Sequence, residues 1–150
     1  MKRAVLALAL FVLGAVSAPA QQPVAITADL FTVEEAAREA VFTGNVVVDH
    51  PTVKVWAAKV VATYGEGGTT DIETFVATGN VRLQTDEQTA TGERAVFTPG
   101  DQLLRLTGHV KVTNAGGTVD ASELVVNLKT NVSTFTGGSS GRVTGIFTSQ

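Results

Sequence analysis

The side chains in this chain that could do metal chemistry are two histidines, His50 and His109. They lie 59 residues apart, and neither belongs to an H-x-H or H-x-x-x-H pair. Because a metal site needs three or four ligands held together, these spacings predict no metal site. His109 falls on the polar side of an alternating run and is predicted to be a solvated strand residue, whereas Asp49-His50-Pro51 has the composition of a turn.

Paired carboxylates would serve sugar hydrolysis, because one acts as the general acid and the other as base or nucleophile. The sequence shows no such pairing at equivalent positions; its candidates stand at strand ends and turns, at Asp86, Glu87, Asp101 and Asp120. Ser139-Ser140 lies in a glycine-rich tail without the sharp turn that positions a nucleophilic serine, and nucleotide-binding glycine loops are absent from the sequence. We therefore predict that the protein is not an enzyme and uses no cofactor.

The dipeptide Thr-Gly, preceded by an apolar or small residue, recurs at four similarly spaced positions; each of these is called a Thr-Gly phrase below. This repeat predicts the secondary-structure elements that would position any functional site. Its glycines, 35, 29 and 29 residues apart, are Gly44, Gly79, Gly108 and Gly137. A period of this length indicates stacked copies of one supersecondary unit. The wider first spacing comes from about six extra residues in the segment 65–71, which we expect to be a hairpin loop. Each glycine is predicted to mark a bulge or bend where a strand turns a corner.

Alternating runs rich in valine and threonine surround each phrase and predict β-strands. A second run follows 15 residues after each of the first three glycines. In these second runs, period two predicts the inward positions Val60, Ala62, Tyr64, Ala95, Phe97, Leu124, Val126 and Leu128. Residues 33–40 leave two interpretations open, either a short helix supported by a Glu34 to Arg38 pair or a wide hairpin turn.

The inward residues together form one continuous apolar face. The face is either a filled core or a core left partly open along its length, in which case it forms a trough that takes acyl chains. Under the second interpretation we predict a lipid-binding groove lined by Phe42, Val46, Val48, Val60, Val81, Leu83, Phe97, Leu104, Leu106, Val110, Val112, Leu124, Val126 and Phe135.

The first twenty residues have the composition of a cleaved secretory signal, with Lys2-Arg3, an apolar run at 4–16 and Ala18-Pro19-Ala20. Thirteen apolar residues are fewer than the roughly 20 that a membrane span needs. Cleavage after Ala20 would leave nine basic and fourteen acidic residues, so nucleic acid is not an expected partner. With no cysteine, disulfides and thiolate metal sites are excluded. We expect one domain at 21–137 and a Gly/Ser-rich tail at 138–150 with a short terminal strand.

The strand phrases resemble those of the periplasmic lipopolysaccharide-transport proteins of the LptA/OstA family. Phe42-Thr43-Gly44-Asn45-Val46 matches the family's "tfTGNV" strand, and the copy at Gly79 matches it nearly. The family's "A-D-K" strand start appears without its acid in Ala57-Ala58-Lys59, whereas Ala28-Asp29 keeps the acid. The resemblance covers about residues 24–137 and extends to the amino-terminal domain of the outer-membrane assembly partner.

The resemblance implies an all-β fold, an open and twisted antiparallel β roll (a β-jelly-roll or β-taco) of stacked repeats of about 29 residues. It implies a non-enzymatic periplasmic carrier whose apolar groove binds the acyl chains of lipopolysaccharide (lipid A) and passes them from the inner to the outer membrane. The implied partners are the inner-membrane and outer-membrane lipopolysaccharide-transport proteins with the same β roll, and further copies stacked head to tail through exposed edge strands.

Two other functions compete with the lipid carrier. The first is a structural, self-assembling β-solenoid envelope protein with a filled core and no ligand. The second is a solenoid carbohydrate enzyme, for which the sequence offers no carboxylate pair.

Overall fold

The computed structural model describes residues 24–137 and 141–148, so the expected signal segment and residues 138–140 lie outside the described residues. Within this part of the chain, no helix is long and apolar enough to cross a membrane. The described residues form a 3-10 turn at Gly68–Thr70 and the strands β1 Ala25–Thr27, β2 Leu30–Glu34, β3 Glu39–Asp49, β4 Lys54–Tyr64, β5 Ile72–Gln84, β6 Gln88–Thr98, β7 Leu103–Asn114, β8 Gly117–Asn127, β9 Val132–Thr136 and β10 Thr144–Phe147.

All the described strands join one antiparallel sheet that stays open. Its order is β1-β3-β4-β5-β6-β7-β8-β10, with β2 also paired to β3 and β9 also paired to β8. The short strands β1 and β2 therefore share the amino edge of the sheet, and β9 and β10 share the carboxyl edge. Hairpins join the long central strands, which is the simplest connection for antiparallel neighbours. The predicted all-β, open antiparallel fold is confirmed.

Each of the long strands β3, β5 and β7 carries a bulge at its Thr-Gly phrase. At each bulge two consecutive residues of the odd-numbered strand oppose one residue of the next strand. The glycine has a φ of 83° to 86° and the residue after it a φ of 48° or 49°. Glycine adopts the left-handed region without strain, and asparagine and histidine tolerate it better than most residues. The bulged pairs are Gly44 with Asn45, Gly79 with Asn80, and Gly108 with His109.

The bulge changes which residues of the partner strand face inward. Thr43 pairs with Lys59, and Val46 pairs with Ala57, so two steps along β4 span three steps along β3. In β4 the buried side therefore passes from Val60 to Ala57, while Ala58 is exposed. The strands β6 and β8 are paired in the same way, and each switches its inward side once. The switch bends the sheet along the line of bulges.

The pairing register aligns the inward residues in rows that cross the sheet. The floor row consists of cross-strand partners next to the bulges: Phe42, Val60, Ala77, Ala95, Leu106, Leu124 and Phe135. Rows on either side of the bend lie closer to the strand ends. The most completely buried side chains are Leu106, Val46, Val60, Val81 and Val110, all close to a bulge. The core of the protein therefore lies along the bend.

The acid of the "A-D-K" motif supports the bulge from outside. Asn45 Nδ2 donates a hydrogen bond to Asp29 Oδ2 at 3.1 Å, and His109 Nδ1 lies 2.8 Å from Glu93 Oε2. Both pairs join the second residue of a bulge to the segment beside it, which is the link between β1 and β2 for Asp29 and the strand β6 for Glu93. At the equivalent place Ala58 has no polar side-chain atom to offer Asn80. The missing acid thus removes one hydrogen bond from this series without removing the bulge.

Two local predictions are resolved by the hairpins. Residues 33–40 form the end of β2, a turn and the start of β3, so the turn interpretation is correct and the helix is wrong. Arg38 Nη2 lies 3.9 Å from Glu66 Oε1, so Arg38 faces Glu66 rather than the predicted partner Glu34. The segment 65–71 is a hairpin loop, as predicted, and the Gly65 N–H donates to the Asp71 carbonyl at 2.9 Å.

Replacing Gly79 by alanine tests the bulge geometry. A Cβ at Gly79 would lie 2.6 Å from the Cβ of Ala58, and its φ of 86° disfavours any L side chain. We expect Gly79→Ala to lower the free energy of unfolding by about 1–3 kcal/mol in urea titrations. Gly100→Ala is the matched control, because that position has no left-handed φ and no heavy atom within 4 Å. Equal losses for the two variants would contradict the role of the bulge.

Candidate functional site

The inner face of the bent sheet encloses a cavity of about 840 Å³. Its lining includes residues from both ends of single strands, namely Phe75 and Leu83 of β5, and Ala90 and Phe97 of β6. A flat strand cannot place both of its ends around one space, so β5 and β6 curve around the cavity. The sheet is therefore a trough with a floor along the bulges and a wall on each side.

The floor and walls of the trough are apolar. The floor residues that line the cavity are Val60, Ala77, Ala95, Leu106 and Leu124. Among the described residues no polar or charged side chain is buried. Phe75 and Phe97 stack in one wall with ring centroids 6.3 Å apart. The walls are completed by Leu104 and Val126 on that side and by Val48, Val55, Leu83 and Ala90 on the other.

Polar side chains line the cavity at its two rims. The turns after β3 and β5 contribute one rim, with His50, Thr52, Thr85, Glu87 and Gln88. The opposite rim carries Gln102, Asn131 and Ser133. The geometry suits an amphiphile, because an apolar body would meet the walls while a polar group stayed at the rims.

Eight of the fourteen predicted groove residues line the cavity: Val48, Val60, Leu83, Phe97, Leu104, Leu106, Leu124 and Val126. The other six are not among the lining residues. They belong to the core cluster or pack against it: Phe42, Val46, Val81, Val110, Val112 and Phe135. The groove itself stays a prediction, with its residues now divided between cavity and core.

Sequence reasoning missed several lining residues, among them Val55, Ala90, Phe75 and Ala77. Strict alternation from Val60 points inward at Ala58 and Trp56, whereas the bulge turns Ala57 and Val55 inward instead. At the Thr-Gly phrases of β3 and β5, two residues oppose one residue of the next strand. Counting that extra residue in the pairing would have placed Val55 and Ala90 on the inward side. Phe75 and Ala77 keep simple alternation with Val81, so period two alone could have found them. Leu128, expected inward, follows the end of β8 and is 41% exposed at the rim.

The residues that first suggested chemistry lie away from the trough floor. His109 and the carboxylates Asp86, Glu87, Asp101 and Asp120 are exposed, and His50 and Glu87 stand at one rim of the cavity. Trp56 is on the outer face, with Lys54 Nζ 5.7 Å and the Arg82 guanidinium carbon 5.2 Å from its ring centroid. Within the described ranges, no three potential metal ligands come close enough together to hold an ion.

The two edges of the sheet expose apolar side chains and carry opposite charge. Leu30, Phe31 and Val33 are exposed on β2, and Val132, Ile146 and Phe147 are exposed on β9 and β10. Residues 24–34, which contain the edge strands β1 and β2, include Asp29 and Glu34 and no basic residue. Residues 128–148, which contain the edge strands β9 and β10, include Lys129 and Arg142 and no acidic residue. Both edges therefore have the features of pairing surfaces.

Comparison with known proteins gives a family for this fold. The family model described as LptA/(LptD N-terminal domain) LPS transport protein matches residues 25–132. An uncharacterized protein of Rhizobium meliloti (strain 1021) is 30% identical over 104 residues, covering 65% of this chain and 56% of that protein. The chain thus spans little more than half the length of that relative.

A solved structure shares the fold. LptH from Pseudomonas aeruginosa, described as the LptA homologous periplasmic component of the conserved lipopolysaccharide transport device, matches with a TM-score of 0.73. The match covers 85% of this chain and 96% of LptH at 18% sequence identity. The chain belongs to the LptA/LptD amino-terminal-domain family of lipopolysaccharide-transport proteins, which confirms the resemblance found in the sequence.

Leu106→Asp tests which residues face the trough. Leu106 is 1% exposed in the floor, so an unpaired carboxylate there should lower the free energy of unfolding by about 3–5 kcal/mol. Thr107→Asp is the control, because Thr107 lies on the other face between Arg94 and Glu123, whose opposite charges offset each other, and it should change the free energy by less than about 1 kcal/mol. If Thr107→Asp were the damaging variant in urea titrations, the assigned faces would be reversed.

Proposed function

We propose that the protein is a non-enzymatic periplasmic carrier that binds the acyl chains of lipopolysaccharide in the trough and passes them from the inner toward the outer membrane. The observation that carries this proposal is the cavity of about 840 Å³ with apolar floor and walls and polar rims. Membership in a lipopolysaccharide-transport family supports the identity of the lipid and the location.

Binding in such a trough would depend on burial of apolar surface. Each Å² removed from water contributes roughly 25 cal/mol and requires no directional contact. Because the floor offers no buried polar partner among the described residues, a chain can slide along it without breaking hydrogen bonds. A carrier needs this combination of binding and easy release.

The structural solenoid without a ligand remains the second candidate. It is favoured by the well-filled bend, where Val46, Val81 and Val110 are each 1% exposed. The open cavity between the walls is the observation that favours the carrier over it. A carbohydrate enzyme has the least support, since the candidate carboxylates are exposed and spread over separate turns and strands.

The proposed partners are the inner-membrane and outer-membrane lipopolysaccharide-transport proteins with the same β roll, and further copies of this chain. An open sheet leaves backbone donors and acceptors unpaired at its edges, and a like edge satisfies them by β-augmentation. The basic carboxyl edge of one copy would meet the acidic amino edge of the next. Opposite charges would favour this head-to-tail order over pairing of two like edges.

A photocrosslinking amino acid at position 97 tests the lipid. Phe97 is half-buried in the cavity wall, and its neighbour Val96 lies on the opposite face of β6. We expect a crosslinker at 97 to capture lipopolysaccharide in living cells and one at 96 to capture none. Equal capture at both positions, or capture at 96 alone, would contradict the trough.

A pair of substitutions at Phe147 tests the head-to-tail order. Phe147, on β10, is 73% exposed, so replacing it should not disturb the core. Phe147→Asp and Phe147→Lys remove the same ring, but only aspartate adds a charge that repels the acidic amino edge. We expect self-association, measured by sedimentation velocity at low salt, to be weaker for the aspartate variant by about two- to fivefold. Identical association of both variants would argue against electrostatic ordering of the edges.

A further inference from the structure

The floor row of the trough changes in side-chain size across the sheet. Ala77 and Ala95 are cross-strand partners in its middle and are 7% and 4% exposed. Val60 and Leu106 flank this pair, and Phe42 and Phe135 end the row. The side chains of this row are therefore smallest at its centre and aromatic at both ends.

The alanine pair leaves room in the middle of the trough. Above it the cavity is bounded by the stacked rings of Phe75 and Phe97 on one wall and by Leu83 on the other. A valine or leucine in place of either alanine would occupy part of the space that the cavity now holds. The size of the ligand that can enter the trough thus depends on Ala77 and Ala95.

The phenylalanines close the two ends of the row. Phe42 stacks on Phe31 of β2 with ring centroids 4.6 Å apart, and Phe135 packs against the core near the carboxyl edge. Neither Phe42 nor Phe135 lines the cavity, whereas the five residues between them do. The walls extend further than the floor, because Val48 of β3 and Ser133 of β9 also line the cavity. Ala77 and Ala95 therefore have the smallest side chains of the five residues that form the cavity floor.

We propose that Ala77 and Ala95 act as a filter for the bulk of the acyl chain. A saturated chain lies across the strands and over the two alanines, where its methylene groups contact the floor. A larger side chain at either position takes the space of those methylene groups and weakens binding. The inference rests on the proposed function and adds to it the residues that decide which acyl chains are accepted.

Binding of laurate, myristate, palmitate and stearate, followed by displacement of a fluorescent acyl probe, tests the filter. The wild-type protein should bind more tightly from laurate to stearate, because each added methylene group buries more apolar surface. Ala95→Leu should weaken palmitate binding by about tenfold, and Ala95→Val by less, because the added methyl groups fill the space over the floor.

Ala58→Leu is the matched control, since it makes the same change on the outer face. The equivalent positions there carry Asp29 and Glu93, so a larger side chain fits, and its binding series should equal that of the wild type. Urea unfolding of each variant separates lost binding from lost fold. Wild-type protein that binds no fatty acid would overturn the proposed function together with the filter. Wild-type binding with an unaltered series in Ala95→Leu and Ala95→Val would overturn the filter alone.

Discussion

The rest of the structure depends on a pair of consecutive residues with positive φ in the middle of each of three long strands. Gly44-Asn45, Gly79-Asn80 and Gly108-His109 insert two residues opposite one, and the partner strand switches its inward side at that point. An antiparallel sheet without these bulges would have two open faces and no interior. With them, both halves of every long strand turn toward the same space, and a single sheet makes its own floor and walls.

The bend also separates the residues that stabilise the fold from those that would hold a ligand. Val46, Val81 and Val110 are almost fully buried beside the bulges, and burial of such side chains is worth about 1.5–3 kcal/mol each. The wall residues Phe75, Phe97 and Leu104 are only half-buried and face the cavity. Because the core along the bend is already well packed, the space between the walls can remain open for an apolar guest.

Much of this architecture follows from local sequence, because alternation and the recurring glycine act within one or two strands. The strands, the bulges at Gly44, Gly79 and Gly108, the hairpin at 65–71 and the family could be predicted in this way, whereas Gly137 follows the end of β9 and marks no bulge. The turn between β2 and β3 could not, because its residues have helical propensity and only the pairing of β2 with β3 overrides it. The inward placement of Val55 and Ala90 depends on the register between two paired strands, in which two residues of one strand oppose one residue of the other. The exclusion of Phe42 and Phe135 from the cavity lining depends on how far the sheet bends, and no single strand determines that bend.

The most direct measurement of the central claim is native mass spectrometry of the protein purified from a cell-envelope extract in mild detergent. We expect the intact protein to carry bound lipopolysaccharide, identified by the lipid A fragments released on activation. LptH purified in parallel would serve as the comparison with the same fold. Protein that emerges without acyl lipid, while LptH from the same procedure carries it, would contradict a lipid-binding trough.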